Sequence, residues 1–195
     1  MKKILFLILV IITTFFIYHF NNSNKIYYFS IDNYGYSKNI KESFKGKLSN
    51  YVVYKKEDYR VMDLINDINN NKEFIYNNKQ HMFDNLLVKA NYITISIGMD
   101  DLIYKEDVDY NYIDELLYDL EELLILLRKY NKDKIYFIGL YKADNLSEVF
   151  EYVNTRIEKL CNKNKIYYID ISNLKEINKR NNLYISDKII NFTKR

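Results

Sequence analysis

The sequence predicts a doubly wound α/β protein: five short parallel strands in one sheet, covered by helices on both faces and preceded by an apolar N-terminal helix. Three observations carry this. Short runs rich in Ile, Val and Tyr recur along the chain, amphipathic helical patterns fall between them, and 195 residues are enough for one full core. Strands buried on both faces read as continuous apolar runs, and strand–helix alternation implies right-handed crossovers into a parallel sheet.

The first element is "MKKILFLILVIITTFFIYHF". Two lysines precede an uncharged run from Ile4 to Tyr18, the pattern of a secretory signal or a signal anchor. As a helix the run is roughly 22 Å long at about 1.5 Å per residue, and His19, Phe20 and a snorkelling Lys3 extend it toward the hydrocarbon thickness. The following "HFNNSNK" offers no small-x-small cleavage site and no lipobox cysteine. Residues 1–24 therefore read as an uncleaved single-pass anchor and short linker, with a cleaved signal as the alternative. The lysines keep the N-terminus cytoplasmic and place the body, 25–195, outside the membrane.

The strands follow in order: "IYYFSI" (26–31), "YVVY" (51–54), "YITISI" (92–97), "IYFIGLY" (135–141) and "IYYIDI" (166–171). Helices are expected over 37–47, 61–70, 82–89, 112–130, 146–162 and 186–194. The clearest is "YIDELLYDLEELLILLRKY", where Ile113, Leu116, Leu117, Leu120, Leu123, Leu124 and Leu127 repeat at three and four, a stripe for the sheet. Arg128 and Lys129 close it in the sense that the helix dipole favours. Ligands in such folds bind beyond the carboxyl ends of the strands, so the search narrows to the turns after Ile31, Tyr54, Ile97, Tyr141 and Ile171. With four glycines in the chain, none of these turns is a phosphate-binding loop.

Composition excludes other classes. The formal net charge is +3, and with Lys2 and Lys3 set aside the body is near neutral, unlike the dense basic face that nucleic acid requires. The single cysteine, Cys161, permits no intrachain disulfide and falls in an expected helix as a buried or half-buried thiol. No His and Cys set has zinc-ligand spacing, and no cofactor is implied. The excess of Asn, Lys, Ile and Tyr fits AT-rich codons, so the 21 tyrosines are no sign of a sugar-stacking surface.

The turn "ITISIGMDDLIY" (93–104) carries a resemblance. "ANYITISIGMDDL" resembles the third block of the SGNH/GDSL hydrolases, an apolar strand followed by G-x-N-D-L. "IYYFSID" resembles their first strand, "DYRVMDLINDI" the second block, "DKIYFIGLY" the fourth strand and "NKIYYIDISNL" the fifth. The resemblance covers nearly everything after Lys25 and implies a flavodoxin-like three-layer sandwich. It also implies ester or acyl hydrolysis by a serine nucleophile, a histidine base and an orienting aspartate, with an oxyanion hole from the serine amide, a glycine amide and an asparagine side chain.

Carried over position by position, that machinery is altered. Where G-D-S is expected the chain reads "FSIDNYGYS", as if Asp32 were joined almost directly to the next helix. Ser30 belongs to the strand, and Ser37 reads as a helix N-cap. The oxyanion glycine of the second block corresponds to Asp58. In the third block Gly98 and Asp101 match, while Asp100 replaces the asparagine donor. The D-x-x-H of the last block is absent, and no histidine follows His81. That residue reads as an exposed side chain at the start of a helix, and His19 lies in the membrane segment.

These departures lead to a membrane-anchored, non-catalytic binding or scaffold domain with an unidentified cell-surface ligand or partner. The alternative is an active SGNH-type esterase with rebuilt chemistry, in which Asp32, Asp58, Asp100 and Asp101 converge to hold Mg²⁺ or Ca²⁺ or act as acid and base. For these aspartates the plainer expectation is that Asp100 or Asp101 caps the next turn while Asp58 is exposed. A third possibility is a small interaction protein whose sheet has no ligand pocket.

Overall fold

A computed structural model describes residues 10–14, 26–44, 48–105, 108–143 and 147–193. Of the expected anchor and linker only 10–14, a helical turn, fall among them. Among the described residues no helix is long and apolar enough to cross a membrane.

The elements run β1 (Ile26–Asp32), α1 (Ser37–Ser43), β2 (Leu48–Tyr54), α2 (Val61–Asn69), β3 (Glu73–Tyr76), β4 (Lys79–Met82), α3 (Phe83–Lys89), β5 (Tyr92–Ser96), α4 (Met99–Ile103), α5 (Tyr110–Tyr130), β6 (Lys134–Ile138), α6 (Ser147–Lys163), β7 (Tyr167–Ile169) and α7 (Lys179–Thr193). β2, β1, β5, β6 and β7 form one parallel sheet in that order. The order reverses between β1 and β5, the switch point beyond which open α/β sheets place ligands.

The two faces of the sheet differ. Phe29, Ile31, Ile93, Ile95, Ile135 and Phe137 are buried on one, where Phe29 packs edge-on against Phe83 at the start of α3. The stripe of α5, from Ile113 to Leu127, is buried as its spacing predicts. The other face, toward α1 and α7, carries a ladder of tyrosines, one from each strand. Tyr51, Tyr28, Tyr92, Tyr136 and Tyr167 stack in turn with ring centroids 5.6, 6.4, 6.3 and 5.1 Å apart. Beyond the ladder, the same face of β1 and β5 holds Ser30, Asp32, Thr94 and Ser96, all buried.

Strands β3 and β4 and the short helix α4 were not expected, and α7 starts earlier than expected. Residues 73–82 form the β3–β4 hairpin, turned by Asn77 and Asn78 at φ +51° and +58°. Asparagine tolerates the left-handed region that a tight hairpin needs. His81 is therefore a half-buried β4 residue opposite Phe74, not an exposed histidine at a helix start. Finally, α7 begins at Lys179 instead of Ser186. Asn178 Oδ1 accepts the Asn181 amide at 3.0 Å, and that cap carries the helix through a polar stretch with weak periodicity.

Asn131 closes the loop between α5 and β6. Its buried side chain donates to the Leu87 and Ala90 carbonyls at 2.6 and 2.7 Å and accepts from the Asp133 amide at 2.7 Å. Replacing Asn131 with Ala leaves these backbone groups unpaired, and chemical denaturation should show a loss of about 2 kcal/mol.

Candidate functional site

The carboxyl ends of β1 and β5 lie side by side, with Asp32 paired in register with Ser96. Asp32 ends β1, is 2% exposed, and turns its carboxylate back over the bend that follows. Oδ1 accepts the Tyr34 and Gly35 amides at 3.0 and 2.6 Å. Oδ2 accepts the Ser37 amide at 2.9 Å and the Ser37 hydroxyl at 2.5 Å. Four donors thus converge on one side chain, an arrangement that suits a carboxylate, which only accepts.

A file of hydroxyls leads to it. Tyr28 Oη lies 3.1 Å from Thr94 Oγ1, Thr94 Oγ1 lies 2.9 Å from Ser30 Oγ, and Ser30 Oγ lies 2.9 Å from Ser37 Oγ. The Ser37 hydroxyl faces both the Ser30 oxygen and the Asp32 carboxylate, and it has one proton to donate between them. The Tyr36 hydroxyl is buried beside the Ser30, Thr94 and Ser96 hydroxyls without a partner at hydrogen-bond geometry.

Two expectations change here. Ser37 is not a helix N-cap: Tyr36 holds that position, and Ser37 is the first residue of α1, its amide taken by Asp32. Nor does Asp32 run directly into the helix, because residues 33–35 form a bend. Asn33, which directly follows Asp32, carries an amide where G-D-S would place the serine. Its backbone N–H donates to Ser96 Oγ at 2.9 Å, and Nδ2 reaches the Tyr59 carbonyl at 3.4 Å. Asn33 Oδ1 is buried without a protein partner.

The turn after β5 is organised by Gly98 at φ +97°, a conformation that an L side chain adopts only with strain. From it α4 projects Asp100 and Asp101, which cap a neighbouring element instead of their own turn. Asp100 Oδ2 accepts the Tyr59 amide at 3.0 Å. Asp101, 7% exposed, accepts the Val61 amide at the start of α2 at 3.2 and 3.4 Å. Burial pushes the Asp101 carboxyl up to about 6, opposed by the Val61 amide and Arg60. Burial also raises Asp100, with Asp58 adding to the shift and the Tyr59 amide opposing it. Asp58 is exposed at φ +50°, a backbone geometry that favours glycine.

The five residues singled out from the sequence therefore do not form one constellation. Asp32 is bound into its own bend, Gly98 shapes the turn, Asp100 and Asp101 hold the loop and helix start at 59–61, and Asp58 faces solvent. Among the described residues no three His, Cys, Asp or Glu side chains are grouped so as to hold a metal ion. Tyr34, 7% exposed, packs edge-on against Tyr141 with centroids 5.7 Å apart and brings its hydroxyl within 3.5 Å of the Gly139 carbonyl. This pair occupies space beyond the strand ends. A cavity of about 400 Å³ lies elsewhere, lined by Tyr27, Phe29, His81, Met82 and Lys89.

No protein-family model matches the sequence, and no curated protein matches it. Solved structures do. The acetyl xylan esterase AlAXEase is 15% identical with a TM-score of 0.63, over 86% of this chain and 98% of its own. The fold is SGNH/GDSL-like. A lipase/acylhydrolase from Enterococcus faecalis (10% identical, TM-score 0.59, 87% of this chain and 94% of its own) agrees. So does a lipolytic protein of the G-D-S-L family from Desulfitobacterium hafniense (10% identical, TM-score 0.57, 85% and 97%). At such identities the likeness concerns the SGNH/GDSL-like fold alone.

Sequence reasoning missed Asn33, Tyr34, Thr94 and Ser96. A signal was present: Ser30 and Asp32 in β1, and Thr94 and Ser96 in β5, are polar at alternate positions inside otherwise apolar runs, which places them on one face.

Two outcomes follow from these contacts. Asp32→Asn keeps the shape but loses one acceptor oxygen and the charge, and urea unfolding should show a loss of about 2–3 kcal/mol. For Asp101, the unfolded chain titrates near 4. Between about pH 4 and 6 the folded protein thus holds a proton that the unfolded chain releases, and stability falls as pH rises through that window. The difference in stability between the wild type and Asp101→Asn should shift against the wild type by on the order of 2 kcal/mol from pH 4 to pH 7.

Proposed function

We propose that the chain is a membrane-anchored, extracytoplasmic SGNH/GDSL-like domain that has lost its hydrolytic machinery and serves as a binding or scaffold domain. The observation that carries this reading is the engagement of Asp32: its two oxygens accept three amides and the Ser37 hydroxyl inside the fold. Ser37 is 3% exposed and Ser30 fully buried, so neither hydroxyl is open to an ester carbonyl.

The surrounding groups support it. Asn33 has no nucleophilic hydroxyl, and Asp100 accepts a hydrogen bond where an oxyanion requires a donor. Among the described residues the only imidazole is His81, whose ring lies against Phe74 on the β3–β4 hairpin. Loss of a serine-hydrolase triad lowers turnover by on the order of a million-fold, and the residue of activity depends on the oxyanion donors. The Tyr34–Tyr141 pair beyond the strand ends favours a partner that contacts the surface over a ligand sunk into that position. The partner itself is a cell-surface molecule or protein whose identity is open.

Anchoring rests on the apolar run from Ile4 to Tyr18 behind Lys2 and Lys3. The full chain, solubilised in mild detergent, should hydrolyse short p-nitrophenyl esters no faster than buffer. Turnover that disappears in Ser30→Ala or Ser37→Ala would overturn the non-catalytic reading.

A further inference from the structure

All five strands of the main sheet are parallel, so they begin at one end of the molecule. The chain enters the body at this end, at Ile26. If residues 4–18 span a membrane, as proposed above, the segment 19–25 that joins them to β1 is seven residues long. Fully extended, it reaches at most about 25 Å. The amino end of the sheet is thereby held close to the bilayer surface, while the opposite end, with Asp32 and Asp100, points away.

The amino ends of β6 and β7 carry concentrated positive charge. An open cleft of about 760 Å³ there is lined by Arg128, Lys132, Lys134, Lys163 and Lys165, with Asp133 as its one carboxylate. Helix C-termini attract cations through the dipole, and some of the charge is used that way. The Arg128 guanidinium donates to the carbonyls of Asn131, Asp133, Asn164 and Lys165, and Lys132 Nζ donates to the Arg128 carbonyl at 2.7 Å. Internal neutralisation is slight: among the described residues the ion pairs are Lys72 with Asp67 and Lys163 with Glu121. Lys132 and Lys165 are exposed, and Tyr167 at the rim is 45% exposed, an amphipathic ring suited to a polar–apolar boundary.

We infer that this basic cleft at the amino ends of β6 and β7 docks on anionic phospholipid headgroups of the bilayer that holds the anchor. The inference rests on the anchored reading. Two independent features agree on it: the short tether leaves from the same end of the sheet, and the charge there is of the sign that anionic headgroups attract. A soluble polyanion would meet the same charge, but nothing about the tether would favour it.

The test uses the full chain in vesicles with and without phosphatidylglycerol. A fluorophore is placed at Asn162→Cys, beside the cleft, or at Lys175→Cys, after β7 at the other end of the sheet; Cys161 is buried. Quenching by headgroup spin-labelled lipid should be at least about twofold stronger at position 162 in anionic vesicles, and high salt should remove the difference. Lys132→Glu/Lys134→Glu/Lys165→Glu should act like salt, and the salt arm stands even where that variant fails to fold. Equal quenching at both positions, or a difference indifferent to lipid charge and salt, overturns the inference while leaving the anchor intact. Failure to float with neutral vesicles overturns the anchored reading itself. Retention on a soluble polyanion with no lipid-dependent quenching overturns the headgroup-docking inference and leaves the anchored reading intact.

Discussion

The path of the chain out of β1 depends on the carboxylate of Asp32. Of the three amides it accepts, those of Tyr34 and Ser37 would otherwise be buried without partners, and each such group costs on the order of 1–3 kcal/mol. One side chain accepts all of them, together with the Ser37 hydroxyl. Because these contacts set where α1 starts, they also set how α1 lies against the tyrosine ladder and against α7, whose Ser186 hydroxyl donates to the Tyr36 carbonyl at 3.0 Å. Polar groups buried between a sheet and its helices are costly unless they are paired, and here the hydroxyls of Tyr28, Thr94, Ser30 and Ser37 pair with one another.

The same principle explains how an SGNH/GDSL-like fold accommodates buried carboxylates at its strand ends. Function in such folds lives in side chains at the switch point, and the sheet does not depend on their chemistry. Asp100 and Asp101 illustrate this. They stand beyond the carboxyl end of β5, and each accepts a neighbouring amide, that of Tyr59 or Val61. The turn at Gly98 keeps its left-handed geometry because the passage from β5 to α4 requires it.

Polarity along the strand direction gives the molecule two unlike ends. The carboxyl end holds a closed polar seam with Tyr34 and Tyr141 packed over the β1 side. The amino end of β6 and β7 holds an open cleft lined by Arg128 and four lysines. Parallel strands produce this asymmetry unaided: helix C-termini collect at the amino ends of the strands and draw cations there.

Much of the architecture was legible in the sequence. Runs of Ile, Val and Tyr, and a seven-position stripe on α5, express burial through local periodicity, which needs no knowledge of neighbours. The β3–β4 hairpin was not legible, because two four-residue strands around an Asn-Asn turn are too short for a period to show. The start of α7 at Lys179 was hidden for a related reason, since one capping side chain decided it. Most of the candidate site also required the tertiary structure. The sequence supplied Asp32, Asp58, Gly98, Asp100 and Asp101. It could not say that the Ser37 amide and hydroxyl donate to Asp32, or that Asp100 and Asp101 cap an element some forty positions earlier. Hydrogen-bond partners across the sheet follow from the register of β1 against β5 and from the crossing of helices, and neither is written in the spacing of residues along the chain.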